Sequence, residues 1–573
     1  MRIISSTLMV IGLVLLLGAC AASSSAVPED MRINAVVAAD LPPGHPNLAL
    51  PTEEGRYFAT SGRCVTCHTN MFDENNQNVS MGELWRSSMM ANSGRDPYWQ
   101  ATVRKEVLEH PQYQSAIEDK CATCHTSMAR FTVATEGETA ALTDAGFFDP
   151  QHPMHTMAMD GVSCTMCHQV QPGNLGQAES FSGHFEIDTV KQPGERVVYG
   201  PSELEEALTL HMQGGSTYLP MQGSHIQTSE MCATCHTLHT DSINNEGELL
   251  VGSQFPEQMP YKEWQHSDYA TTNTCQSCHM PEADGAVQRS ATGGEPRPNF
   301  SQHFFVGGNV YMLEVFRRFG EELGVTAGTR HFADTIERAL NQLENDTATV
   351  TLEQVSLNER QITADVLIES HTGHKLPSAY PSRRAWLHVM VRDADGQVIF
   401  ESGAVNHDGS INGNNNDRSA TEYEPHHEVI DNPFHVQVYE AVMADSDGKV
   451  TTGLLSAVEY VKDNRLLPAG FNKFTAEDDI AVHGAALYDQ DFVGGSDRTR
   501  YVIDVGSAPA PFTVSADLCY QTIAYRWAEN MRPHSDAPEI ARFLRYYDAV
   551  PNLPAVIGSA TTQVSEQAAV GQQ

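Results

Sequence analysis

The sequence is short of positive charge. Its 573 residues hold 35 Lys plus Arg against 73 Asp plus Glu, a formal net charge of -38. A chain this acidic repels nucleic acid and anionic headgroups, so nucleic acid is not an expected partner; cations and the basic faces of other proteins are. Beyond residue 20 it also lacks any apolar run long enough to span a bilayer. Only Cys20 and Cys519 lie outside one recurring cysteine pattern, which leaves no basis for a disulfide framework. Copies of that pattern start 57, 43, 68 and 43 residues apart, too unevenly for a solenoid.

At the N-terminus, Arg2 precedes an apolar stretch from Leu8 to Leu17, too short to be a comfortable membrane span. Leu17-Gly-Ala-Cys20 follows, which is similar to a bacterial lipoprotein box. The expectation is a signal peptide over 1–19 and lipidation of Cys20, with acyl chains that anchor without spanning. The chain would then be exported and face the periplasm or the cell exterior. Ala21 after Cys20 carries no charge and favours the outer membrane. Residues 20–50, rich in Ala, Ser and Pro, read as a flexible tether.

Of twelve cysteines, ten fall into five copies of C-x-x-C-H. They are Cys64, Cys67 and His68; Cys121, Cys124 and His125; Cys164, Cys167 and His168; Cys232, Cys235 and His236; and Cys275, Cys278 and His279. Cys519 stands alone and reads as a buried thiol. A zinc ribbon would pair two C-x-x-C knuckles without needing a His after each. A C-x-x-C disulfide would close a small loop and stabilise little. Attachment of c-type haem needs this spacing: two thiols add to two porphyrin vinyl groups, and the following His is placed under the iron. Five c-type haems are therefore expected.

Each iron needs a sixth ligand or stays open to substrate. Nine non-motif histidines lie between the first motif and residue 310. The expected distal ligands are His155, His184, His225, His266 and His303, each in a short segment between or after the motifs. His110, His152, His211 and His239 are reserves. Met89 or Met90 would instead give His–Met ligation and raise a potential.

The fold class expected is α+β and multidomain. A mostly helical and loop-rich haem domain spans 51–345. "TRHFADTIERALNQLE" forms an amphipathic helix with Phe332, Ile336, Leu340 and Leu343 on one face. From 346 to 515 apolar and polar residues alternate between turn signals such as D-A-D-G. This reads as an antiparallel β-sandwich, immunoglobulin-like in size. A helical segment over 516–555 and a disordered tail over 556–573 complete the chain. In the sandwich, "HTGHKLPSAYPSRRAWLHV" gathers His371, His374, Lys375, Arg383 and Arg384. His374 is a further ligand candidate there, with the arginines pairing haem propionates; a locally satisfied interface loop is the plainer alternative. Residues 407–428 hold Asp and Asn at the density of a calcium loop, but match no complete EF-hand, and a polar surface loop is the simpler reading.

The five motifs, "YKEWQHSDY…CQSCHMP", "HFFVGGN" and "TGHKLPSAYPSRRAWLHV" together resemble bacterial multihaem c-type cytochromes with a C-terminal β-sandwich. The resemblance covers residues 55–520. It implies electron transfer across the periplasm or at the cell surface, with other cytochromes or quinone-linked donors as partners, and self-association in some relatives. It supports His266 and His303 as ligands through the matching stretches. Multihaem nitrite reductases carry C-x-x-C-K at the catalytic haem, and no such site occurs here. The leading expectation is an electron carrier with no substrate of its own. The alternatives are a reductase or oxidase of a small nitrogen or sulfur compound at one open haem, and a haem-lined filament or scaffold subunit.

Overall fold

The computed structural model describes residues 25–39 and 44–565. Cys20, the signal segment 1–19 and residues 566–573 lie outside the described residues. The chain is an α+β protein of two halves that meet along one face.

The N-terminal half is built from helices and loops with two small sheets. Its longest helix before the last motif, Pro97–Glu109, starts where Asp96 accepts hydrogen bonds from Tyr98 N–H and Trp99 N–H and where Pro97 fits the first turn. Strand Arg196–Gly200 pairs parallel with Tyr218–Gln222, and Leu238–Ile243 pairs antiparallel with Leu249–Gln258. Helices Val310–Phe319 and Thr329–Asn345 close this half. The stripe Phe332, Ile336, Leu340 and Leu343 on the second is buried, as its spacing predicts.

The C-terminal half has two sheets that share one core. The four-stranded sheet runs Ala348–Asn358, Gln361–Ser370, Ser496–Asp504, Val429–Ile430. Its first hairpin turns through Glu359 and Arg360, both at positive φ (45° and 69°), the twist that a two-residue hairpin requires. The seven-stranded sheet centres on Arg384–Arg392, buried along nearly its whole length and so without alternation. With eleven strands in all, the sandwich exceeds the seven to nine of an immunoglobulin domain.

Three boundaries differ from the sequence reading. Residues 25–38, expected within a flexible tether, are folded. Ser25 Oγ and Val27 N–H both donate to Asp517, and helix Ile33–Ala38 buries Ile33 and Val36 in the main core. Residues 516–555 do not begin as helix, because strand Phe512–Gln521 runs through the predicted boundary before helices Tyr525–Glu529 and Pro538–Ala549. The start of the expected tail is a strand, Ala555–Val564, antiparallel to Phe512–Gln521 with Val564 opposite Phe512. Its alternation is weak because Gly, Ala, Ser and Thr fill it; pairing with a core strand, and not side-chain hydrophobicity, orders it.

Candidate haem-binding cavity

Each C-x-x-C-H motif overlaps a helical segment. One helical turn sets the two cysteines three apart on the same face, with the His beside them. All fifteen motif residues line one continuous cavity of about 2320 Å³, larger than a single small-molecule pocket of roughly 300–1,000 Å³. His236 is an exposed residue, but the space it is exposed to is this interior cavity.

The motifs are close neighbours. Cys64 contacts Cys164, Cys124 contacts Cys235, and Cys232 contacts Cys275. Backbone and side-chain bonds hold the same arrangement. Asp160 accepts from Ser61 N–H and Oγ (both 2.7 Å), tying the first motif to the third. Ser229 Oγ accepts from Cys275 N–H (3.1 Å), tying the fifth to the fourth. Gly183 N–H donates to the Thr234 carbonyl (2.6 Å), joining the fourth motif to the loop that covers Thr123 and Cys124 of the second.

The motif imidazoles are prepared as ligands. Nδ1–H of His68, His125, His168 and His279 donates to the carbonyls of Arg289, Ser93, Tyr199 and Val306 at 2.7, 3.3, 2.6 and 2.6 Å. A carbonyl only accepts, so each ring keeps its proton on Nδ1 and presents the Nε2 lone pair, the usual outer-shell arrangement of a metal-bound His. Burial holds these rings neutral. It pushes His125 and His236 down to about 4 and lowers His68, His168 and His279. Trp99 stacks on His125 with centroids 4.3 Å apart and planes 2° apart.

Two motif histidines face a second imidazole. His168 and His303 have ring centroids 6.5 Å apart and planes 17° apart; for His279 and His374 the values are 6.2 Å and 11°. Either pair of rings would hold a metal ion from two sides, giving it two imidazole ligands. Burial drives His303 down to about 3, so it too is neutral.

The other expected ligands are placed differently. His184 lines the cavity, with Nδ1–H on the Phe181 carbonyl (2.7 Å). His155 and His266 show the same preparation, on the Phe147 and Lys262 carbonyls (2.8 and 2.9 Å), yet do not line the cavity; His266 lies against Phe471 of the sandwich half. His225 has its Nε2 engaged by the Val170 carbonyl (2.9 Å) and packs on Tyr199. Among the reserves, His211 lines the cavity, whereas His110 and His239 spend Nε2 on Ser456 and Asp479. His152 Nδ1 accepts from Met154 N–H. Met89 and Met90 line the cavity.

His374, only a secondary candidate in the sequence, is the facing partner of His279, with Nδ1–H on the Lys375 carbonyl (2.9 Å). Arg383 lines the cavity near His236 and His279, where it could pair an acidic substituent. Arg384 does not reach it. Its guanidinium is buried against Asp417 (2.7 Å), Gln521 and the Gly409 carbonyl. The polar loop 407–428 is thereby organised around an arginine, with Asp417 also taking Ile411 N–H. The buried cluster of His426, Asp489 and Asp497 has metal-like spacing. However, His426 Nδ1 accepts from the Gln437 and Asn464 amides, so its Nε2 stays protonated and donates to Asp489.

The donor set fits c-type haem: paired thiols on one face, neutral imidazoles presenting Nε2, and shared apolar space. No protein-family model matches the chain, and no curated protein is similar to it. Among solved structures, the chain is similar to a penta-haem cytochrome c552 from Thermochromatium tepidum. The alignment has a TM-score of 0.49 and 16% identity, and covers 89% of this chain and 100% of that one.

Proposed function

We propose that the chain is a multihaem c-type cytochrome that carries electrons through five covalently attached haems. The observation that carries this reading is that all five C-x-x-C-H motifs line one continuous cavity. The thiols Cys64, Cys67, Cys121, Cys124, Cys164, Cys167, Cys232, Cys235, Cys275 and Cys278 would hold the five groups, and His68, His125, His168, His236 and His279 would be their proximal ligands. His303 and His374 complete the third and fifth sites; His184 and His211 are the cavity-lining candidates for others. Bound haem supplies reversible one-electron storage at iron. The residues do the rest. Carbonyls fix four of the five motif rings, burial keeps all five neutral, and contact between neighbouring motifs keeps the groups close enough for exchange. Acidic side chains on the cavity, such as Glu106 and Glu257, favour the oxidised state and lower potentials.

For location, we propose export, lipidation of Cys20, and a periplasmic or outward-facing position on the outer membrane. The partners are redox proteins whose docking faces are basic, given the charge of -38. The test is EPR of the oxidised protein with haem counted in the same sample. Five low-spin haems are expected. A stoichiometric high-spin signal would instead mark one open iron and shift the reading to a small-molecule reductase or oxidase.

A further inference from the structure

Glu263 lies on helix Pro260–Gln265 in the haem-motif half and has no exposed surface (0%). A buried carboxylate is costly unless something compensates it, and everything that compensates this one comes from the other half. Its Oε2 accepts Lys375 N–H at 3.1 Å and Ser378 Oγ–H at 2.6 Å, and its Oε1 pairs with Arg465 Nη1 at 3.0 Å. Lys375 Nζ and Arg465 Nη2 each lie 2.7 Å from Asp463 Oδ2. The cluster therefore holds two carboxylates and two cations, all buried, and its charges cancel.

Lys375 is fixed at each of its polar groups. Its N–H is held by Glu263, its Nζ by Asp463, and its carbonyl accepts the Nδ1–H of His374. His374 thus hangs on a residue whose position is set from across the domain boundary. We propose that Glu263 is a positioning residue: it latches segment 371–378 of the sandwich onto the haem-motif half and so holds His374 opposite His279 as sixth ligand of the fifth haem. This rests on the cytochrome reading above. Without the Glu263 charge, Lys375 and Arg465 would share Asp463 alone and one buried cation would be uncompensated. The segment relaxes and His374 withdraws.

The experiment is EPR spin counting, with haem quantified, on the full haem-loaded protein as wild type, His374→Ala, Glu263→Gln, the double variant and Ser378→Ala. His374→Ala is expected to add one high-spin haem in five. Glu263→Gln should add most of one high-spin haem with five retained, and the double variant no more than His374→Ala. Added imidazole should restore the low-spin signal in each. Glu263→Gln with five haems and a wild-type spectrum would overturn the latch. If that variant loses haem or fails to accumulate, Ser378→Ala decides, since it removes one hydroxyl and no charge. Partial high-spin character supports the latch, and a wild-type spectrum overturns it. His374→Ala that stays low-spin would remove the ligand assignment and the latch with it. A preparation that carries no haem would remove the cytochrome reading itself.

Discussion

His279 and His374 face one another across 6.2 Å with their planes 11° apart, although they are 95 positions apart in the sequence. One ring belongs to the last C-x-x-C-H motif and the other to the first long loop of the sandwich. The β-rich half thus lines the same cavity as the motifs.

The same relationship at His168 and His303 gives the first prediction. His303→Ala should convert one haem in five to high-spin, and His303→Met should keep it low-spin with a higher midpoint potential. Redox titration followed by EPR reads both. No change in either variant would remove His303 from the ligand set.

The fourth motif touches the second and the fifth through Cys235 and Cys232. A Cys232→Ser and Cys235→Ser double variant should carry four haems in place of five by mass and by haem assay. It should also slow electron exchange between the second haem and the rest. Five haems retained would show that this pair is not an attachment site.

Asp160, which ties the first and third motifs, is pushed by burial from 3.8 up to about 6. Its folded form therefore takes up a proton before the unfolded chain does, and stability linked to it increases as pH falls from above 6 towards 4. A rise of that size is worth about 3 kcal/mol. Asp160→Asn cannot titrate, so it should cost more stability, relative to wild type, at pH 4.5 than at pH 7.5. Denaturant melts at the two pH values check this; a difference independent of pH would contradict it.

Arg384 is fully buried and its guanidinium depends on Asp417. Asp417→Ala leaves that cation unpaired and should destabilise the protein by about 3–5 kcal/mol. Replacing both residues with apolar ones of similar volume should recover much of the loss. Chemical denaturation of the three variants measures it.

Much of this architecture is legible in the sequence. The five motifs carry the site because the chemistry demands that spacing, and the alternation after residue 346 marks the sheets. What the sequence hides is local. Ala555–Val564 reads as a tail because its stability comes from pairing with Phe512–Gln521, which no single-segment pattern encodes. The distal histidines are the hardest to distinguish. Which ring can bind metal depends on whether its Nε2 is free and the ring lines the cavity, and chain spacing carries no trace of either. From spacing, His374 stands below His155, His225 and His266, yet it faces a motif imidazole and they do not line the cavity. The signal available is the basic cluster Lys375 and Arg383 beside it in so acidic a chain.

The bonds from Ser25 and Val27 to Asp517 change what an anchor at Cys20 would mean. Thirty residues of slack would let the molecule swing well clear of a bilayer. With Ser25 fastened, the reach from Cys20 is five residues, at most about 18 Å of extended chain. The part of the sandwich around Ser25 would then stand next to the headgroups. A protein so anchored would be mounted in a fixed attitude, with one flank committed to the lipid and the opposite flank left free.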